Sequence, residues 1–90
     1  MITAEEANKI ATFAYQENLK NEMDQIIESL QIDIFNRAKQ GKFFTIVNFS
    51  KNSDFSDKVQ HCYISNYLTS LGYKISSYDP KVSYDVVRWE

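Results

Sequence analysis

The chain has 90 residues, of which 43% are apolar, 24% charged and 14% aromatic, and its net charge is −2. This balance predicts one globular domain over residues 1–90 and excludes collagen-like, linker-like and disordered classes. The charged side chains of both signs are scattered, whereas a nucleic-acid-binding protein of this size carries a basic stripe or patch. Nucleic acid is therefore not an expected partner.

The sequence also predicts the cellular compartment of the protein. Cys62 is the only cysteine, which rules out an internal disulfide and fits a reducing environment. No apolar run reaches the length of a membrane span, and Glu5 and Glu6 stand near an N-terminus that lacks the basic-then-apolar order of a signal peptide. We expect a soluble, intracellular protein with no membrane partner.

The first predicted element is a helix over residues 3–40. Thr3 and Glu6 have the spacing of a capping box, in which each side chain accepts a hydrogen bond from the other residue's backbone N–H. Gly41 suits the left-handed position that follows a helix, and the basic Arg37 and Lys39 before it compensate the negative helix end. No Gly or Pro interrupts the segment.

Apolar residues divide this helix into two groups. The first is Ile10, Phe13 and Ala14. The second recurs at spacings of three and four and comprises Leu19, Met23, Ile26, Ile27, Leu30, Ile34 and Ala38. A straight helix over 3–40 would be roughly 57 Å long, and a compact domain of this size has a radius of gyration of about 12 Å. We therefore expect a bend or short break near residues 17–22. Alternatively, the helix is continuous, its N-terminal part projects from the domain, and two copies of the chain form a dimer through Ile10, Phe13 and Ala14.

The segment Phe43–Phe49 has the strongest strand pattern in the chain. It is β-branched and aromatic on both faces, which predicts a central or covered strand. One face comprises Phe43, Thr45, Val47 and Phe49, and the other comprises Phe44, Ile46 and Asn48.

A second helix is predicted over residues 54–71. Ser53 and Ser56 are both suitable N-caps, and Gly72 ends the helix. Its apolar side comprises Phe55, Val59, Tyr63, Ile64, Tyr67, Leu68 and Leu71. Strands over 73–78 and 82–89 follow, and the turn Asp79–Lys81 joins them into a hairpin because Pro80 presets the turn backbone.

The predicted fold class is therefore α+β. A long N-terminal helix precedes a β-α-β-β unit, in which helices cover one face of a three-stranded sheet. If the first two strands share that sheet, their connection is a right-handed crossover. The other sheet face, which carries several Tyr and Phe rings, is expected to be only partly covered.

The residues that could support catalysis do not form a recognisable set. His61 and Cys62 are neighbours on a helix, so their side chains diverge by about 100° and do not form a catalytic pair. We interpret them as a half-buried histidine beside a core cysteine. The acidic candidates are interpreted as solvated helix faces and caps; they are Asp24, Glu28, Asp33, Asp54, Asp57, Asp79 and Asp85. No catalytic residue, metal ligand or cofactor is predicted, and the protein is not expected to be an enzyme.

The hairpin carries the candidate binding residues. They are Lys74, Tyr78, Lys81, Tyr84 and Arg88. Cations beside exposed tyrosines can bind a nucleotide by charge and stacking. The competing interpretation is a polar sheet edge that prevents aggregation.

Five stretches resemble a known group of proteins. They are Thr3–Ala7, Leu19–Gly41, Phe43–Phe49, Leu68–Ile75 with the pattern L-x-x-L-G-Y-x-I, and Val82–Trp89. Through them the chain resembles small bacteriophage-encoded accessory proteins of the α-β-α-β-β type. Those with an assigned role often bind and block a host protein or defence system, or sequester a defence nucleotide. The resemblance assigns no functional residue.

Two functional hypotheses follow. In the first, a non-enzymatic, homo-oligomeric phage protein binds and inhibits a host or antiviral-defence protein in the host cytoplasm. In the second, the protein is a sponge that sequesters a small nucleotide signal at an oligomer interface near the hairpin. A small enzyme or nuclease that uses the scattered carboxylates is the remaining alternative.

Overall fold

A computed structural model describes residues 1–90, with two helices and three strands. In chain order these are α1 (Ala4–Lys39), β1 (Phe44–Asn48), α2 (Asp57–Ser70), β2 (Lys74–Ile75) and β3 (Tyr84–Arg88). The sheet order is β1-β3-β2, and β3 is antiparallel to both of its neighbours. β1 and β2 are therefore parallel, and the hairpin strand β3 lies between them. The predicted α+β fold class is confirmed.

Helix α1 is continuous, so the expected break near residues 17–22 is wrong. No residue there disfavours a helix strongly, and the ion pair between Lys20 Nζ and Asp24 Oδ2 (3.7 Å) helps to hold the polar segment in register. Leu19 already packs against the core. The length is accommodated by projection, because the molecule measures 59 × 25 × 23 Å and its radius of gyration is 15.7 Å.

The helix ends follow the predicted signals, except that α2 begins at Asp57 and not at residue 54, because Ser56 and not Ser53 is its N-cap. The N–H of Glu6 donates to Thr3 Oγ1 (3.1 Å), and Ser56 caps α2 by accepting from the N–H of Val59 (3.3 Å). Gly41 and Gly72 have φ of 79° and 95°. At the end of α2, the N–H of Tyr73 donates to the carbonyl of Leu68, and the equivalent bond closes α1. Both helices thus end in Schellman motifs, each of which needs a left-handed residue.

The helices cover one face of the sheet, as predicted. α1 packs on β1, α2 packs on β2, and the helices contact each other. The buried core comprises Met23, Leu30, Val47, Ile64, Leu68 and Val87. Burial alternates along β1 and β3, so Thr45 and Val47 face the helices, whereas Phe44 and Ile46 face away. We call the uncovered side the open face.

The position and coverage of β1 differ from the prediction. β1 is neither central nor covered on both sides, because β3 pairs with only one of its edges and the helices cover only one face. The apolar residues on its second face, Phe44 and Ile46, are not covered: they lie on the open face and are 46% and 43% exposed. The C-terminal strand occupies the centre instead.

Strand β2 is shorter than the predicted 73–78, and Ser76 explains why. The N–H of Ser76 still donates to the carbonyl of Val86 (3.1 Å). The N–H of Val86, however, donates to Ser76 Oγ (3.1 Å). A side-chain hydroxyl thus takes the place of the ladder carbonyl, and regular pairing stops after Ile75.

We expect Gly72→Ala to destabilise the protein by about 1 kcal/mol, because an L-residue at this positive φ is strained although nothing crowds the position. Urea unfolding measures the change. The control is Asn66→Ala on the exposed side of α2, which should not lower stability. Equal stability of Gly72→Ala and the wild type would contradict the assigned role of Gly72.

Candidate functional site

A histidine–aspartate pair joins α2 to the central strand. His61 Nδ1 lies 2.5 Å from Asp85 Oδ2, and their side chains are 14% and 1% exposed. A carboxylate only accepts hydrogen bonds, so Nδ1 carries the donated proton. The second carboxylate oxygen of Asp85 accepts from Ser76 Oγ at 3.4 Å. The buried carboxylate therefore has a partner on each oxygen.

Aromatic rings enclose this pair. The ring centroid of His61 lies 6.5 Å from that of Phe49 in an edge-to-face arrangement. The ring of Tyr78 lies against it at 5.4 Å with a 38° tilt. The pair is largely buried, and a hydrogen bond in such a low-dielectric site is costly to break.

The pair resembles the orienting half of a catalytic triad but has no nucleophile beside it. Cys62 is exposed. Ser76 bonds to Asp85 and to the backbone of Val86, and no hydroxyl or thiol hydrogen-bonds to the His61 ring. What this geometry does is hold α2 against β3.

Two interpretations from the sequence are therefore wrong. Cys62 is not a core residue, because it occupies the solvent side of α2. Asp85 is not a solvated acid, because it points inward from β3 beside the buried Val87. The signal was present in the sequence: Asp85 is two positions before Val87, so the period of a strand places both on one face. Asp79 does cap its turn, since it accepts from the N–H of Lys81 at 2.9 Å.

A second polar link joins α1 to β1. The buried hydroxyl of Thr45 donates to Asp33 Oδ2, and Arg37 Nε lies 3.6 Å from the same oxygen. Asp33 is thus half-buried and engaged rather than solvated. Each helix is therefore held on the sheet by a hydrogen bond to a carboxylate as well as by apolar packing.

The structure divides the predicted binding residues among three places. Lys74 and Arg88 are register partners, and Phe44 faces Arg88 from the other side. Tyr84 lies on the same open face of β3 and is 40% exposed. Tyr78, in contrast, lies against His61 on the helix side.

The remaining candidate, Lys81, is exposed in the hairpin turn. The sheet therefore presents a row of Lys74 and Arg88 from the hairpin with Phe44 from β1 across the open face, and not one site built from all five residues.

The predicted oligomer residues lie on the projecting part of α1. We call residues 4–18 the arm; all of them are exposed. At 3.6 residues per turn, Ile10, Phe13 and Ala14 lie roughly 150° around the helix from the stripe that includes Met23 and Leu30. The arm stripe thus points away from the chain's own core.

No group of three or more His, Cys, Asp or Glu side chains is arranged to hold a metal ion. Although α1 is long, neither helix has the apolar composition that a membrane span requires.

Comparison with protein-family models, with curated proteins and with solved structures finds no match to this chain. The surfaces of the molecule are therefore the basis for its proposed function.

We expect His61→Ala to lower stability by about 3–5 kcal/mol, because it leaves a buried carboxylate without its partner. Asp85→Ala should cost about 1–3 kcal/mol, and the double variant less than the sum of the two. Urea unfolding of the four proteins measures the coupling. Cys62→Ala, the exposed neighbour on α2, is the control and should change little. Additive losses would show that the pair is not coupled.

Proposed function

We propose that this protein is a non-enzymatic accessory protein that acts by stoichiometric binding, as a homo-dimer, and inhibits a host or antiviral-defence protein in the host cytoplasm. One observation carries the proposal: a single rigid helix bears two apolar stripes on nearly opposite sides. One stripe builds the core, and the other has no partner in the chain.

The arm cannot fold back to bury its own stripe. α1 is unbroken from Ala4 to Lys39, so the rotation between the stripes is set by the helix itself. Ile10 and Phe13 are 61% and 67% exposed. Apolar side chains at helical spacing, held away from their own domain, are the pattern by which helices recognise another helix or a groove. We assign the arm stripe to pairing between two copies of the chain.

The open face of the sheet supports binding of a target. It carries Phe44, Ile46 and Tyr84, which are all large and at least 40% exposed. Aromatic residues are enriched in protein interfaces, and contiguous apolar surface marks interaction sites. A protein that commits this much of a 90-residue chain to exposed apolar surface is suited to binding rather than to turnover.

The proposal is tested with the double variant Ile10→Glu/Phe13→Glu. We expect light scattering to show a dimer of the 10.5 kDa chain for the wild type and a monomer for the variant. Burying each apolar side chain contributes about 1.5–3 kcal/mol, so the dimer should weaken by at least roughly 100-fold. The monomeric variant should remain folded, with an unchanged far-UV circular dichroism spectrum, because both side chains are exposed in the single chain.

Thr12→Glu is the matched control, since Thr12 lies on the opposite side of the arm. In the same experiment, tagged protein is recovered from bacterial cells and its complexes are weighed by native mass spectrometry. A bound protein in a fixed integer ratio, retained by Thr12→Glu, supports stoichiometric binding. A monomeric wild type that recovers no protein would contradict both parts of the proposal.

A second candidate function is supported by the row of Lys74, Arg88 and Phe44. Two cations beside an exposed ring provide charge for a phosphate and a face for a base. In this alternative the protein sequesters a nucleotide signal at the row itself, which lies on the open face of the sheet and not on the arm stripe.

We expect a nucleotide ligand to raise the melting temperature of the wild type in a panel of cyclic and ADP-ribose-type nucleotides. Lys74→Glu/Arg88→Glu should abolish the shift by reversing the local charge, whereas Lys58→Glu on α2 should retain it. No shift with any nucleotide removes this candidate and leaves protein binding as the function.

A further inference from the structure

We propose that the free edge of β1 receives one extended strand from the partner protein, paired antiparallel to β1. This inference rests on the proposed protein-binding function and specifies how the partner is recognised. It assigns a site that is separate from the arm stripe.

The backbone of β1 determines which groups are free. At its two ends, Trp89 N–H donates to the carbonyl of Phe43 (3.1 Å) and Phe49 N–H donates to the carbonyl of Ser83 (2.9 Å). Antiparallel strands alternate between hydrogen-bonded and non-bonded pairs. The odd-numbered residues of β1 therefore bond to β3.

The even-numbered residues point their backbone groups the other way. The N–H and C=O groups of Phe44, Ile46 and Asn48 consequently face outward and have no partner in the sheet. A row of free backbone donors and acceptors is the template to which a further strand pairs.

This edge has none of the features that normally block pairing. The segment Phe43–Phe49 contains no charged residue and no Pro, and its register with β3 runs without a bulge. Natural edge strands are usually protected by Lys, Pro or a bulge. An unprotected apolar edge is able to pair with another extended segment.

A groove of about 920 Å³ runs along the edge. Its lining includes Gln25, Ser29, Asp33 and Arg37 from α1, with Ile46 and Asn48 from β1. Two helices side by side form a layer about 20 Å wide, whereas three strands at about 4.8 Å spacing span about 14 Å. The helix layer is therefore a few ångströms wider than the sheet, and α1 borders the groove at the β1 edge.

The same dimensions argue against a second copy at this edge. Two β1 strands paired across a dyad would lie about 4.8 Å apart. Because α1 packs on β1, the two α1 helices would then approach more closely than the 8–10 Å that packed helices require. A lone extended segment brings no helix and fits.

The lining also specifies the chemistry of the incoming strand. On the open face, its side chains would adjoin Phe44 and Ile46 and are therefore apolar. On the helix side they face the polar flank of α1, where Arg37 is already engaged by Asp33 and Glu22 forms no ion pair. A basic residue complements Glu22. The expected segment therefore alternates apolar residues with polar ones, among them a basic residue opposite Glu22.

The test uses a fluorescein-labelled heptapeptide, Lys-Val-Lys-Val-Lys-Val-Lys, with fluorescence polarisation as the readout. In the antiparallel arrangement the three valines lie on the open face, and their backbone groups pair with those of β1. N-methylation of the valines should weaken binding by roughly 100-fold, because three hydrogen bonds are lost. N-methylation of three lysines, with the same charge and composition, should change binding by less than about threefold, since their N–H groups face solvent.

A protein variant tests the same edge. Ile46→Pro removes an outward N–H while the bonds of Thr45 and Val47 to β3 remain, and Ile46→Val is the matched control. We expect Ile46→Pro to abolish peptide binding and Ile46→Val to retain it. Amide exchange by NMR gives a readout that does not need variants: the peptide should slow exchange at Phe44 and Ile46 without affecting Thr45.

Three results would overturn the inference. They are equal weakening by both methylated peptides, no binding of the unmodified peptide, and protection of the Ile46 amide in the protein alone, which would mean that a second copy occupies the edge. Failure here is distinguishable from failure of the proposed function, because Ile10→Glu/Phe13→Glu leaves β1 intact. If that variant still binds the peptide, the edge is active independently of the dimer.

Discussion

The hydrogen bond between His61 and Asp85 is the constraint on which the architecture depends. It joins α2 to the central strand at a largely buried point, where Phe49 and Tyr78 lie against the His61 ring. A buried carboxylate is tolerated only where its oxygens are satisfied. Asp85 therefore restricts α2 to one rotation and one height above the sheet, whereas the surrounding apolar contacts alone would tolerate small shifts.

The link between Thr45 and Asp33 does the same for α1. β1 forms one edge of the sheet beneath α1, so its outward backbone groups are unpaired and border the groove along the flank of α1. Because the groove is open, water can satisfy these groups.

The continuity of α1 separates two surfaces that a broken helix would have merged. A break near residues 17–22 would have let the arm pack against its own domain and bury Ile10 and Phe13. An unbroken helix instead holds these residues beyond the domain, on the side opposite Met23. The proposed self-association and the proposed target recognition would then use different parts of one small chain.

The sequence by itself determined the elements whose signals are local. The caps at Thr3 and Ser56, the stops at Gly41 and Gly72, and the alternation along β1 all depend on neighbours within a few residues. Only the tertiary structure decided that β3 takes the central position and that Asp85 meets His61, because both depend on pairing between segments far apart in the chain. The tertiary structure also decided that α1 is continuous. Whether a polar helical segment stays intact depends on the packing of the segments on either side of it.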